Sequence, residues 1–408
     1  MRLIFVSSLV PGTAPEDGYE IANHAIVEGL RRAGARVTAL GFISPGATPS
    51  DPEETALLGE VIIRTSDATA GMKLRWLATA ALRGTTVSSA KLRVVTRETI
   101  RRELARLEPY DGLILNGVWL AGAFEEVFTA RPYVFIAHNA EHVSARQNAA
   151  RVESRVERIL FRREARYLAE LEERLCANAA FVLTLSDDDR HSLNVARDDR
   201  ALSLPLVMPV AADMPGRSAR TFDVGLIGSW IQVPNRIGLE WFLREVVPRL
   251  DAEVSIAVAG RTPRELSSDD PRVAMLGRVE NARAFMRDCR VIALASRVGT
   301  GVQLKTIETF ELGLPAVATR SSLRGISSVP ANVEKADDAM AFAAALTRQI
   351  QGQRAGRVAD LDGTGFRAAQ LRRMDDVLRI AMDRLEAATR DREVPSGPRA
   401  GQATLRGP

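Results

Sequence analysis

The sequence predicts an α/β protein built from two doubly wound domains that face each other across a cleft. Three observations carry that expectation. The chain has 408 residues, more than one hydrophobic core usually serves. Short apolar runs alternate with helical periodicity in two successive series, the pattern of parallel strands joined by crossover helices. Between the series, residues 202–220 are rich in Pro, Ala and Gly and weakly periodic, as a connecting segment would be.

In chain order, Leu3–Val6 reads as a strand, Tyr19–Ala33 as a helix stopped at Gly34, and Val37–Leu40 as the next strand. The apolar runs Gly112–Leu115, Tyr133–Ala137 and Phe181–Leu185 each precede a polar or Gly-rich loop. From Ser144 to Leu175 runs a long Arg/Glu-rich helical stretch whose apolar positions include Ile159, Leu160, Phe161, Leu168, Leu171 and Leu175. The second series has strands at Phe222–Ile227, Val254–Ala259, Val273–Leu276, Val291–Ala295 and Pro315–Thr319, and helices at Arg236–Val246, Val302–Leu312, Asp337–Ile350 and Phe366–Ala387. The expected division is an N-terminal domain over 1–205, a linker over 206–220 and a C-terminal domain over 221–365. A C-terminal helix over 366–388 is placed so that it can pack back on the first domain, and a Gly/Pro/Arg-rich tail over 389–408 is expected to be disordered.

Composition narrows the function. Lys and Arg number 55 against 51 acids, a net charge of +4, which is not the uniform basic excess of a nucleic-acid binder. Cys176 and Cys289 lie far apart without CxxC or metal spacing, and the N-terminal apolar run is too short for a signal peptide, so a cytoplasmic location is expected. None of His24, His138, His142 and His191 has metal-ligand company. No metal or other cofactor is expected. Gly12 and Gly18 do not make a Gly-x-Gly-x-x-Gly fingerprint, which argues against an NAD(P) enzyme. Lys occurs only at positions 73, 91, 305 and 335. The Arg preference fits a GC-rich bacterial genome and makes a Lys at a motif position notable.

The most informative stretch is 297–315, Arg-Val-Gly-Thr-Gly-Val-Gln-Leu-Lys-Thr-Ile-Glu-Thr-Phe-Glu-Leu-Gly-Leu-Pro. A strand feeds a turn at Gly299-Thr300-Gly301 that opens a helix. Thr300 and Gln303 have capping-box spacing, so Thr300 is the expected N-cap. Free N–H groups and the positive end of the helix dipole at such a turn suit a diphosphate. Lys305 can reach the same phosphates as a point charge, and Glu308 lies on the same face to accept ribose hydroxyls. An amphipathic helix with solvated Lys and Glu fits the spacing equally, so spacing alone leaves both readings open.

This stretch resembles the signature of glycosyltransferase family 4 and its close relatives, retaining enzymes of the GT-B fold. There a Gly-rich turn leads into a Lys-x-x-Glu helix ending in Gly-x-Pro, matched here by Gly299-Thr300-Gly301, Lys305 to Thr309 and Gly313 to Thr319. Val224 to Trp230, Pro234-Asn235 and Trp241-Phe242 resemble the start of that family's donor domain. Val258 to Arg261 and Leu276 to Val279 resemble two of its strand ends. His138-Asn139-Ala140-Glu141-His142 resembles its His-Asn-x-Glu stretch. The resemblance spans about residues 1–330 with the motifs in the family's order. One departure stands out: many relatives carry another glutamate separated by seven residues from the position of Glu308, and Thr300 occupies that place.

The resemblance implies two Rossmann-like domains and transfer of a sugar from a UDP- or GDP-sugar to an acceptor hydroxyl, with retention, in surface polysaccharide or glycoconjugate assembly. It implies donor contacts at Gly18, Gly228, Ser229, Asn235, Arg261, Arg278, Val279, Gly299, Thr300, Gly301, Val302, Gln303, Lys305 and Glu308. Acceptor-side contacts fall at His138, Asn139 and Glu141, and His138, Lys305 and Glu308 take catalytic roles. Partners are the nucleotide sugar and a sugar or lipid-linked acceptor, with no nucleic acid. The Arg-rich helices between Arg146 and Arg174 suggest peripheral contact with anionic membrane at the inner face of the plasma membrane. A nucleotide-sugar epimerase of the same architecture and a noncatalytic degenerate relative are the alternatives.

Overall fold

The computed structural model describes residues 1–15, 17–65, 67–209, 220–263 and 266–393. The N-terminal half is a seven-stranded parallel sheet. Its strands are β1 (Arg2–Leu9), β2 (Arg36–Ile43), β3 (Thr55–Glu60), β4 (Gly112–Asn116), β5 (Tyr133–Ala137), β6 (Phe181–Thr184) and β7 (Ala201–Ser203), in the order β3-β2-β1-β4-β5-β6-β7. The helices between them are α1 (Gly18–Arg32), α2 (Ala70–Arg83), α3 (Val87–Lys91), α4 (Arg97–Arg106), α5 (Val118–Ala123), α6 (Glu125–Phe128), α7 (Glu141–Arg151), α8 (Arg155–Asn178) and α9 (Asp187–Ser192).

The second half is a six-stranded parallel sheet in the order β10-β9-β8-β11-β12-β13. These strands are β8 (Phe222–Ile227), β9 (Ile256–Ala259), β10 (Val273–Gly277), β11 (Cys289–Leu294), β12 (Ala316–Ala318) and β13 (Val333–Lys335). Its helices are α10 (Val233–Trp241), α11 (Ala282–Arg287), α12 (Leu304–Glu311) and α13 (Ala339–Arg354), followed by the C-terminal α14 (Thr364–Glu393).

The central strands are buried on both faces, so they read as unbroken apolar runs: every residue of β5, Tyr-Val-Phe-Ile-Ala, is buried. In each sheet the chain reverses winding beside its first strand, between β1 and β4 and between β8 and β11. Open sheets of this kind bind ligands outside the strand C-termini at such reversals, and the two reversal points face the same cleft. Helix α1 starts where Asp17 Oδ1 accepts the N–H groups of Tyr19 and Glu20 at 3.1 Å, an N-cap that satisfies two free donors. At the opposite sheet, Gly260 has φ +115° and any Cβ there would sit 1.8 Å from the Gly228 carbonyl. Only glycine lets the loops after β8 and β9 approach that closely.

Several boundaries differ from expectation. The helix expected over Arg236–Val246 starts earlier, at Val233, and its second half, Phe242–Val246, is a π-turn. That widening lets Trp241 and Phe242 both meet Phe342 edge-on, at 5.3 and 6.3 Å. Leu202 and Ser203, expected to open the linker, belong to the edge strand β7. Of the 206–220 linker, residues 210–219 lie outside the described residues. Helix α14 does not stop near residue 388 but continues to Glu393. Residues 394–408, the rest of the expected tail, lie outside the described residues.

Helix α14 lies against the N-terminal sheet. Leu378 and Met374 fill the space over Gly29, Leu385 covers Gly112, and Arg32 pairs with Asp375 at 3.0 Å. Glu311 of α12 receives the Met208 N–H at 2.9 Å and Arg367 of α14 at 2.6 Å. The two halves are thus stitched at the chain crossing as well as across the cleft.

Candidate functional site

The cleft between the sheets has a volume of about 1220 Å³ and draws its walls from both halves. The N-terminal wall is set by residues directly after strands. His138 follows β5, and Gly117 follows β4. Beneath them lies a buried polar network. Ser7 Oγ donates to the Leu9 carbonyl at 2.8 Å and accepts from Asn23 and Asn116 at 3.1 and 3.2 Å. Asn116 Nδ2 also donates to Asn23 Oδ1 at 2.7 Å. This orientation leaves Asn116 Oδ1 as an acceptor, and His138 Nε2 donates to it at 2.8 Å. The tautomer follows by assignment from the network: hydrogen on Nε2 and a lone pair on Nδ1. Burial pushes the imidazole down to about 3, because charge on it is poorly solvated there. His138 therefore faces the cleft as a neutral hydrogen-bond acceptor, with Tyr19 4.7 Å away ring to ring.

Glu141 opens α7 beside it. Its Oε1 accepts from Asn139 Nδ2 at 3.1 Å. Burial first, and then nearby Glu172, Asp189 and Glu164, push its carboxyl up to about 7. Glu172 holds the start of α7 by accepting the Glu141 and His142 N–H groups at 2.6 and 3.2 Å and the His142 ring at 2.6 Å. His142 is thereby committed to Glu172 and does not line the cleft.

The C-terminal wall is the loop 299–303 and the first turn of α12. Gly299 and Gly301 have φ of +111° and +71°, so the turn needs its glycines. Thr300 is not the N-cap. Helix α12 begins at Leu304 after Gln303, which makes no side-chain cap. The Thr300 hydroxyl crosses the cleft to share a hydrogen bond with Ser144 at 2.7 Å. Gly301 is buried rather than cleft-lining. Its N–H donates to Asp189 Oδ2 at 3.1 Å, and its carbonyl accepts from Arg324 Nε at 3.2 Å. A Cβ at Gly301 would lie 2.2 Å from Asn139 Oδ1. The loop expected to cradle phosphate with its N–H groups instead gives this one to a carboxylate of the other half.

Lys305 points into the cleft. Its Nζ donates to Asn235 Oδ1 at 3.4 Å and stands 5.3 Å from the centre of the Trp230 ring. Asn235 is oriented by donating to the Ser229 carbonyl at 3.1 Å, and the indole N–H of Trp230 by the Ala259 carbonyl at 2.9 Å. Burial, then repulsion from Arg324, lower the ammonium to about 8. Among the described residues it has no carboxylate partner, a cost that an incoming anion would relieve. Glu308 lines the same wall but is already paired: its Oε1 accepts from Arg283 Nε at 3.0 Å. Burial raises its carboxyl and Arg283 counteracts that.

Of the expected site residues, the cleft gathers Gly18, His138, Asn139, Glu141, Gly228, Ser229, Asn235, Arg261, Gly299, Thr300, Val302, Gln303, Lys305 and Glu308. It does not gather Arg278 and Val279, because β10 sits at the sheet edge and Val279 turns toward the apolar cluster around Phe285. Sequence reasoning missed Tyr19, Asn116, Asp189 and Arg283. Asn116 carried a signal, a lone polar residue closing an apolar run; Asp189, third of three consecutive aspartates, carried none. Among the described residues no group of three or more His, Cys, Asp or Glu is placed to hold a metal ion.

Comparison with known proteins agrees with this geometry. Residues 221–351 match the model of the family described as Glycosyl transferases group 1. No curated protein matches the chain in sequence. Among solved structures, sucrose-phosphate synthase from Thermosynechococcus elongatus is similar over 96% of this chain and 99% of that one, at 14% identity and a TM-score of 0.65. Anabaena HepE in complex with UDP-glucose is similar over 96% and 99%, at 14% identity and 0.60. The α,α-trehalose-phosphate synthase (UDP-forming) from Burkholderia xenovorans, in complex with glucose-6-phosphate, is similar over 94% and 99%, at 13% identity and 0.57. At these identities the likeness establishes the fold, which is GT-B.

Proposed function

With a C-terminal half that matches the group 1 glycosyltransferases as the premise, we propose that this protein transfers a sugar from a UDP- or GDP-sugar to an acceptor hydroxyl. The observation that carries the proposal is Lys305, a cation with no counter-charge among the described residues, at the start of α12 and aimed into a cleft walled by both halves. HepE has been solved with UDP and with UDP-glucose, which supports a nucleotide sugar as donor.

In this reading the diphosphate lies against Lys305 and the loop 299–303. As the glycosidic bond to phosphate breaks, negative charge grows on the leaving diphosphate, and a fixed ammonium is worth more there than in the ground state. Neutral His138 accepts a hydroxyl proton in a hydrogen bond from the N-terminal wall and orients the sugar or acceptor. Glu141, titrating near 7, takes the acceptor hydroxyl's proton as the new bond forms. Departure and attack on one face give retention. Glu308, with Arg283 as its partner, holds the ribose. The Gly301–Asp189 bond and the Thr300–Ser144 bond close the cleft, so the missing acid at position 300 is replaced by a hydroxyl that works between the domains.

A surface polysaccharide or glycoconjugate on a lipid carrier is the acceptor class we propose, and peripheral contact with anionic membrane accompanies it. Val156 and Ile159 on α8 are each 66% exposed beside Arg155 and Arg162, whereas Phe161 turns to line the cleft. Among the described residues no helix is long and apolar enough to cross a membrane. The test is release of nucleoside diphosphate from a panel of nucleotide sugars, with and without bacterial lipid extract, and the anomeric configuration of the product by NMR. Release with one donor, stimulated by the extract, is expected. C2-epimerised donor sugar in place of transfer would identify the epimerase instead.

A further inference from the structure

A second cavity, of about 420 Å³, opens in the N-terminal half outside the donor cleft. Arg83 from the end of α2, Arg93 between α3 and α4, Arg97 from α4 and Arg174 from α8 all line it. Glu125 and Glu126 supply the opposite charge. Arg174 grips Glu125 through two bonds of 2.8 Å, and Arg97 pairs with Glu126. Those two pairs leave Arg83 and Arg93 over, and among the described residues neither forms an ion pair. Four arginines against two glutamates give the cavity an excess of two positive charges.

Arg93 is the informative member. Its guanidinium lies 5.5 Å from the centre of the Phe124 ring, and its Nε is buried with no hydrogen-bond partner. Its charge is disfavoured by burial and then by Arg83 and Arg97 close by, with Glu126 opposing them more weakly. A folded protein that holds an unpaired guanidinium against two others leaves both a donor and a charge unsatisfied. An anion with several acceptor oxygens removes both costs, and planar guanidinium forks match phosphate. A phosphate monoester carries close to two negative charges at neutral pH, equal to the excess.

We propose that this cavity is a binding site for a phosphate monoester, held by Arg83 and Arg93 and framed by the Arg97–Glu126 and Arg174–Glu125 pairs. The six-residue α5 links it to the donor cleft: Val118 and Trp119 line the cleft, and Gly122 near the other end lines the cavity. At 1.5 Å rise per residue that is about 9 Å of helix. The site stands apart from the donor reading and keeps its meaning if that reading fails. The monoester comes either from a soluble phosphorylated molecule or from a lipid headgroup, and the test separates them.

The full chain is titrated calorimetrically with inorganic phosphate and with glycerol 3-phosphate at constant ionic strength, and UDP is titrated in parallel. Sedimentation is measured with phosphatidylcholine vesicles holding equal fractions of phosphatidic acid or phosphatidylglycerol. Saturable phosphate binding is expected to weaken about ten- to a hundredfold in Arg83→Glu, a substitution at an exposed side chain, while UDP binding stays unchanged. Arg93→Lys keeps the charge but loses the fork and should weaken phosphate by a smaller factor. Preference for phosphatidic acid over phosphatidylglycerol that Arg83→Glu abolishes assigns the site to a lipid; glycerol 3-phosphate binding without that preference assigns it to a soluble ligand. Absence of saturable phosphate binding overturns the proposal. So does phosphate binding that Lys305→Met removes and Arg83→Glu leaves intact, since the anion then sits in the donor cleft.

Discussion

Replacing Lys305 by Met separates a ligand-binding cation from a structural one. In the cleft the ammonium is lowered from its usual 10.5 to about 8. A shift of that size corresponds to about 3 kcal/mol of unfavourable interaction with its surroundings. Met fills a similar volume without that cost, so thermal stability should hold or rise by about 1 kcal/mol. Donor handling should move the other way. A charged contact to the diphosphate that strengthens as the bond to sugar breaks contributes about 2–4 kcal/mol, a loss of roughly thirty- to a thousandfold in kcat/KM. The assay pairs thermal unfolding with steady-state release of nucleoside diphosphate. The pH dependence is a second signature. Below about 8 Lys305 carries its proton before the donor arrives; above it, a proton must be taken up first, so wild-type donor affinity should fall. Lys305→Met should lose that fall. Near-wild-type kcat/KM in the variant, or a stability loss as large as the activity loss, would refute the reasoning.

Other perturbations follow from the same geometry. Glu308→Gln should weaken UDP or GDP binding about tenfold by calorimetry, because an amide accepts less strongly than a carboxylate and gives Arg283 a neutral partner in place of a charged one; unchanged affinity would remove Glu308 from the donor site. His138→Ala should lower the transfer rate at least tenfold while sparing nucleotide binding, since the ring belongs to the N-terminal wall; lost UDP affinity would contradict that placement. The transfer rate should rise as pH passes through about 7, where Glu141 loses its proton, and Glu141→Gln should flatten this limb; a variant with the wild-type pH profile would exclude Glu141 as the proton acceptor. Gly301→Ala places a Cβ against Asn139 at a positive φ, so it should loosen the cleft and cost about 1–3 kcal/mol in transition-state stabilisation; intact turnover would show that closure does not use this contact.

The central strands were legible because strands buried on both faces are mostly apolar, as in Tyr133–Ala137 and Ile256–Ala259. Three of the four edge strands, β3, β7 and β13, escaped for the converse reason. In β3 only Ala56 is buried, and β7 and β13 are three residues each, too short for a pattern. Helix α2 hid because Leu74 and Leu82 are 70% and 88% exposed, which blurs its apolar stripe, and α4 buries only Ile100 and Leu104. The C-terminal wall of the cleft was legible through a rare lysine after a glycine turn. What the sequence could not reveal were pairings set by tertiary approach: Asp189 on the Gly301 N–H lies 112 residues away, and Arg283 on Glu308 lies 25 residues away. Both occupy groups that local reasoning had left free for ligand.

The central claim is that a nucleotide-sugar diphosphate sits in the cleft against Lys305. Its most direct test is a crystal structure of the chain with bound UDP or GDP, whichever calorimetry shows to be preferred. A phosphate oxygen within hydrogen-bond reach of Lys305 Nζ, and ribose hydroxyls at Glu308, are expected. Nucleotide bound elsewhere, or diphosphate turned away from Lys305 with Asn235 still its partner, would contradict it.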